Sequence, residues 1–330
     1  MKAAFIEQLG PPENIKYADF ADPIVKGTEV LVKVGAVAVN PIDTYIRSGA
    51  IQMPIPLPYI LGCDLAGEVV DAGPLAIRYK KGDRVWGSNQ GLFQRQGTFS
   101  ELASIDEGWL YRTPADVTDE QAAAGALVGI TAHLGLVRDA AVKATEVLFV
   151  NGGSGGVGST VIQMCKTLGA HVITTAGSDE KCAECRALGA DHAINYKTED
   201  VEAEVQKFAP HGLNIYWETL REPDFDRAVR LLAPRGRMII MAGRDARPQF
   251  PVGPFYVKGL TLRGFAMFNA TPEEQRSAAS EMNLWMSAGK LSPKIGKVFP
   301  LSEAAAAHRL QEDNTLRKAG TLSGKIVLKP

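Results

Sequence analysis

The residue run with the clearest chemical purpose is Asn151-Gly152-Gly153-Ser154-Gly155-Gly156-Val157-Gly158, entered directly from the apolar tetrapeptide Val147-Leu148-Phe149-Val150. Behind it, Val157, Val161, Met164, Cys165 and Leu168 recur at helical spacing. A strand, a sharp glycine turn and a helix in that order build an anion site. Residues without Cβ allow the turn and let a phosphate approach the backbone, and the free N–H groups of the first helical turn face the ligand. A second strand near residues 171–175 completes the context for a dinucleotide diphosphate rather than a plain loop.

The second strand selects the dinucleotide. An NAD site places Asp or Glu at the tip of this strand, against the ribose hydroxyls. Here the tip reads Thr175-Ala176-Gly177-Ser178, and Lys181 follows one turn later. Small polar residues and a cation suit a 2′-phosphate, which a carboxylate would repel. The cofactor expected is therefore NADPH. Asp179 is the contrary feature, placed just past the tip.

Other reactive residues offer less. Cys182 and Cys185 form a C-x-x-C, but no second pair exists, and two thiols on a helix is the reading adopted. His133, His171, His192, His211 and His308 show no ligand spacing. Four cysteines in 330 residues make no disulfide framework and fit a reducing compartment. A formal net charge of −1 gives no overall field for nucleic acid or anionic membranes. No run approaches the roughly 20 apolar residues of a membrane span, and the start lacks the long apolar stretch of a signal peptide. The expectation is a cytoplasmic protein that binds neither nucleic acid nor membrane.

The elements that must hold these residues fall into two styles. The first ~115 residues read as short strands at 2–7, 30–39, 65–71, 84–86 and 98–104, punctuated by Gly and Pro. An Ala-rich helix follows over 118–137, with Thr118 as N-cap. From Glu146 the chain alternates strands (VLFV, VIT, AINY, NIYW, RMIIMAG) with helices, the signature of a parallel sheet covered on both faces. A helical stretch from about Pro272 leads to a last strand, Ser323-Gly324-Lys325-Ile326-Val327-Leu328, expected to return to the first domain.

Taken in order, several motifs resemble the zinc-free quinone oxidoreductase (zeta-crystallin-like) branch of the medium-chain dehydrogenase/reductase superfamily. They are Asn40-Pro41-Ile42-Asp43-Thr44-Tyr45-Ile46-Arg47-Ser48-Gly49, Gly62-Cys63-Asp64-Leu65-Ala66-Gly67, Lys81-Gly82-Asp83-Arg84-Val85, Gly97-Thr98-Phe99-Ser100-Glu101, Gly129-Ile130-Thr131-Ala132, the glycine turn and the closing strand. The resemblance implies an α/β protein: a GroES-like β-rich catalytic domain over 1–117, completed by about 268–330, and a Rossmann doubly wound parallel-sheet domain over 118–267. It places the active site in the cleft between the domains. Asn40 and Thr131 would lie near the nicotinamide, and Ser154, Gly155, Gly156 and Val157 at the diphosphate. Gly177, Ser178, Lys181 and Tyr196 would surround the adenosine phosphate, with Arg317 a further candidate. Ala242, Gly243 and Arg244, with Phe265, Ala266, Met267 and Phe268, would border the nicotinamide. The chain departs from the family at residues 217–223, where Trp-Glu-Thr-Leu-Arg-Glu-Pro lacks the usual glycine turn.

Zinc members of that superfamily put a Cys where this chain has Asn40 and a His-Glu pair where it has Cys63-Asp64. Asn is a poor zinc ligand and the set is incomplete, so no metal is expected. The chemistry expected is reduction of an already electrophilic quinone or enone, by orientation rather than by a catalytic dyad. Tyr45 is the candidate for a hydrogen bond or proton to the substrate oxygen, its alternative being a packing tyrosine; Tyr59 is a second aromatic wall candidate. The alternatives are an enone or enoyl-thioester reductase and a non-catalytic NADPH- or RNA-binding crystallin-like protein. The segment 259–264 resembles the strand by which relatives pair as homodimers.

Overall fold

The structure, a computed structural model, describes residues 1–330. In chain order it runs β1 (Lys2–Ile6), β2 (Lys16–Asp19), β3 (Glu29–Val39), α1 (Pro41–Ser48), β4 (Tyr59–Ile60), β5 (Leu65–Ala72), β6 (Arg84–Gly87), β7 (Leu102–Asp106) and β8 (Leu110–Arg112). Next come α2 (Asp119–His133), β9 (Val147–Asn151), α3 (Gly156–Thr167), β10 (His171–Ala176), α4 (Asp179–Ala187), β11 (His192–Asn195) and α5 (Val201–Phe208). β12 (Leu213–Glu218), α6 (Phe225–Leu231), β13 (Leu232–Ile240), α7 (Val252–Val257) and β14 (Thr261–Gly264) follow. The chain ends with α8 (Pro272–Ser287), β15 (Ile295–Pro300), α9 (Ala304–Thr315) and β16 (Lys325–Lys329).

Two compact units result. One comprises Met1–Leu127, Thr271–Ser287 and Pro293–Pro330; the other comprises Val128–Ala270 and Ala288–Ser292. The first holds a seven-stranded sheet built around β3, which pairs antiparallel with β5, β7 and β16. β3 is long because it alternates buried apolar and more exposed residues for one half and then turns wholly buried from Ala36 to Val39. The closing strand docks where the sequence places it, Ile326 opposite Val39. One expected strand is displaced: regular pairing covers Leu102–Asp106, not 98–104. Thr98 and Phe99 instead give their N–H groups to the carbonyl of Leu61, and Ser100 makes only an isolated bridge to Ala3.

The second unit is a six-stranded sheet in the order β11-β10-β9-β12-β13-β14. Every neighbouring pair is parallel. That order reverses direction between β9 and β12, which is the switch point of a doubly wound nucleotide-binding sheet. The strands read as near-continuous apolar runs because both faces are covered; Leu148, Phe149 and Val150 are fully buried. Phe149, Ile173, Ile194, Val205, Tyr216 and Met238 belong to one apolar cluster that fixes the sheet as a rigid base. The strand expected through Gly243 stops at Ile240, and residues 241–243 leave it as a loop at the carboxyl edge. Helix α2 begins with the expected cap: the Thr118 hydroxyl accepts from Gln121 N at 3.2 Å while the Gln121 side chain accepts from Thr118 N.

Candidate active site

At the mouth of β9 the backbone does what the glycines require. Gly152 takes a φ of +93°, and a Cβ at Gly158 would sit 2.2 Å from the Gly152 carbonyl oxygen, so only glycine lets α3 start this close to the strand. Gly155 caps α3 without any side-chain hydrogen bond. The first N–H groups of a helix have no partner within it, and here none is supplied by a cap. Gly155 is exposed and Ser154, Gly156 and Val157 are half-buried, which leaves the anion seat open. The site fits a dinucleotide diphosphate.

The next strand ends in a second seat. A Cβ on Gly177 would lie 2.7 Å from the Tyr196 hydroxyl, so the absence of a side chain there brings the phenol to the strand tip. Ser178 caps α4 through a bond from Lys181 N at 3.3 Å, which holds Lys181 one turn into the helix. Asp179 is engaged elsewhere: its Oδ1 accepts from Asn195 Nδ2 at 2.7 Å. The contrary carboxylate of the sequence is thus turned into a structural bond with β11. Arg317 belongs to the other unit, where it is exposed and paired with Asp313 at 2.9 Å.

Around the carboxyl ends of β13 and β14, Gly243 adopts a φ of +82° and Arg244 holds the adjacent Asp245 at 3.0 Å. Phe265 is half-buried, edge-on to Trp217, with the Arg138 guanidinium 5.6 Å from its ring centre. Ala266 is exposed and Met267 is buried. Thr131 is buried in α2.

In the first unit, Asn40 follows β3 and caps α1, exchanging bonds with Asp43; the Asn40 N–H reaches Asp43 Oδ2 at 2.8 Å. Tyr45 lies half-buried on the same short helix. The Asn40 amide is committed at both ends. Its Nδ2 donates to Asp64 Oδ2 at 2.7 Å, and its Oδ1 accepts from the ammonium of Lys325. Ser88 secures the other Asp64 oxygen at 2.6 Å, and Lys325 also donates to Val39 O at 2.6 Å. All of these side chains are buried. Burial pushes the Asp43 carboxyl up to about 7, with the Cys63 thiol and the Asn40 N–H opposing. Burial likewise raises Cys63 and Asp64 and lowers Lys325.

These residues do not fit a zinc ion. No three His, Cys, Asp or Glu side chains are grouped to hold a metal, and an ammonium already sits beside Asn40 among the carboxylates. The role of Lys325 escaped the sequence reading. The available signal was a lysine opening an otherwise apolar buried strand, KIVLK. Cys182 and Cys185 are buried on α4 and are not joined in a disulfide. Tyr59 is buried and its hydroxyl donates to the Gly91 carbonyl at 2.6 Å.

Residues 26–115 match the family described as alcohol dehydrogenase GroES-like domain, and residues 156–283 that described as zinc-binding dehydrogenase. The quinone oxidoreductase of Sus scrofa is 34% identical over 99% of this chain and 97% of its own length. Among solved structures, an NAD-dependent alcohol dehydrogenase matches with a TM-score of 0.89 at 29% identity, covering 100% of both chains. The Escherichia coli quinone oxidoreductase complexed with NADPH matches with a TM-score of 0.87 at 27% identity, also covering 100% of both.

Proposed function

Because the chain belongs to the quinone oxidoreductase branch of the medium-chain dehydrogenase/reductase superfamily, we propose that it is an NADPH-dependent reductase of small quinones. The observation that carries this reading is a likeness over 99% of the chain to a quinone oxidoreductase. The strand tip at Gly177 and Ser178, with Tyr196 and Lys181 beside it and Asp179 tied to Asn195, supports the phosphorylated dinucleotide over the unphosphorylated one named for the alcohol dehydrogenase neighbour.

When bound, NADPH supplies the hydride. The protein's part is to hold and orient. Ser154, Gly155, Gly156 and Val157 hold the diphosphate with backbone N–H groups, and Gly177, Ser178, Lys181 and Tyr196 hold the 2′-phosphate. Gly243, Arg244, Phe265, Ala266 and Met267 frame the nicotinamide side, as does Thr131. Asn40, bonded at both ends, frames the site and has no donor to spare. Tyr45 offers a phenol to the substrate oxygen. The donor set around Asn40 does not suit a metal ion. The protein works as a cytoplasmic homodimer: its four cysteines form no disulfide, no helix is long and apolar enough to cross a membrane, and β14 lies at a sheet edge.

The test is oxidation of NADPH and NADH with a panel of benzoquinones, naphthoquinones, enones and enoyl thioesters, scored by kcat/KM. Quinones with NADPH should lead. A lead for NADH or for the thioesters would overturn the reading. Tyr45→Phe should retain kcat/KM within roughly tenfold, the weight of one hydrogen bond, since quinone reduction leans little on proton transfer; a loss of roughly 10²–10⁴-fold, the range of general acid catalysis, would show Tyr45 to be an essential acid.

A further inference from the structure

The loop that departs from the family, residues 217–223, is built into the dinucleotide turn. Glu218 ends β12 and is fully buried, yet it is not a core residue by chemistry. Both of its carboxyl oxygens accept from Asn151 Nδ2, each at 3.1 Å, and Oε1 also accepts from Leu220 N at 2.8 Å. Asn151 passes the connection on: its Oδ1 accepts from the Thr175 hydroxyl at 2.9 Å. The Thr175 oxygen in turn accepts from the N–H of Gly152 at 2.9 Å. The neighbouring Thr219 hydroxyl donates to the Asn151 carbonyl oxygen and stands where a Cβ of Gly152 would lie, at 2.6 Å. One continuous relay therefore ties the carboxyl ends of β12, β9 and β10 to the first glycine of the turn, the residue held at a φ of +93°.

We propose that Glu218 is a positioning residue for cofactor binding: through Asn151 and Thr175 it fixes Gly152, and with it the direction in which the N–H groups of Gly155, Gly156 and Val157 face the diphosphate. It touches neither cofactor nor substrate. Groups that orient a binding shell from behind act on affinity without joining the chemistry. The missing family glycine is explained by the same contacts, because Glu218, Thr219 and Leu220 supply the bonds that shape this loop. The inference rests on the dinucleotide reading above.

The test is calorimetric titration of the full chain with ADP-ribose 2′-phosphate, the cofactor without its nicotinamide, and with ADP-ribose. Glu218→Ala should weaken both roughly tenfold, the weight of one buried hydrogen bond lost from the relay. Thr175→Val, which swaps a hydroxyl for a methyl of the same shape, should do likewise and carries the test if the alanine variant fails to fold. Glu218→Asp should recover part of the loss. In NADPH-dependent quinone reduction the same variants should raise KM for NADPH and keep kcat within about twofold, because only the uniform binding of cofactor is reduced. Unchanged affinity in folded Thr175→Val, or a fall in kcat at constant KM, would overturn the proposal while leaving the cofactor reading intact. Failure of the unaltered protein to bind either probe would overturn both.

Discussion

Lys325 is buried, its Nζ donating to the Val39 carbonyl and to the Asn40 amide oxygen, and burial lowers its pKa. Its cost is offset by Asp64 and Asp43 nearby, both of which favour its charged form. Removing one member of such a set costs more than the set contributes. Lys325→Met should therefore destabilise the first unit by roughly 3–5 kcal/mol, read from the denaturant midpoint, and Lys325→Arg should not rescue it, since a planar guanidinium does not replace a compact ammonium. A loss below about 1 kcal/mol would mean the ammonium is dispensable. Asp43 carries a second consequence. Its carboxyl is pushed up to about 7 from the ordinary 3.8, so between those two pH values the folded chain binds a proton that the unfolded chain has released. Stability falls as pH rises through this window and levels off above it. Glu218, also raised to about 7 by burial, adds to the same slope. Asp43→Asn keeps an acceptor for the Asn40 N–H but cannot ionise. Its stability relative to the unaltered protein should improve by roughly 2–4 kcal/mol on going from pH 4 to pH 8, and an unchanged difference would show that Asp43 ionises freely in the fold.

At the level of elements, the nucleotide unit was legible because its signals are local. A strand, a glycine turn and a helix lie within about 25 residues, and the Thr118 cap and the apolar strands from Val147 onward needed only nearest-neighbour rules. What stayed hidden is long-range. Lys325 meets Asn40 across 285 residues and Asn151 meets Glu218 across 67, so no window of sequence shows that either charge is paired. The strand misplaced at 98–104 has the same cause: alternation suggested a ladder, but Thr98 and Phe99 spend their N–H groups on Leu61. Asp179 shows the converse, a residue legible as a difficulty and resolved only by its bond to Asn195. The prediction that belongs here concerns α4. Its first turn holds Lys181 beside the Gly177–Tyr196 seat, so Lys181→Ala should raise KM for NADPH about five- to tenfold, the weight of one partly exposed charge-assisted contact, and leave KM for NADH unchanged. An equal effect on both cofactors would remove Lys181 from the 2′-phosphate seat.

For the molecule as a whole, the six-stranded sheet ends in an unprotected way. β14 is its outer strand, bonded only to β13, and all four of its residues are exposed. Such an edge offers unpaired N–H and C=O groups to any strand that approaches. Beside it in sequence, α7 buries none of its residues; Val252, Tyr256 and Val257 are 62%, 70% and 74% exposed. A helix with this composition gains nothing from solvent, and a monomer that showed it together with a bare strand edge would be prone to associate without limit. A second copy related by a two-fold axis removes both liabilities at once, because the pairing is self-complementary and closes. The protein should therefore sediment at twice 35.4 kDa at micromolar concentration. Tyr256→Asp with Val257→Asp places two carboxylates per chain in the shared surface, where an unpaired buried charge costs several kcal/mol, and should shift the mass to that of a single chain while the melting behaviour of the first unit is kept. A variant that stays dimeric would put the contact elsewhere, and an unaltered protein that is monomeric up to about 100 μM, where only contacts weaker than roughly −5 kcal/mol remain unseen, would leave the β14 edge exposed for some other reason.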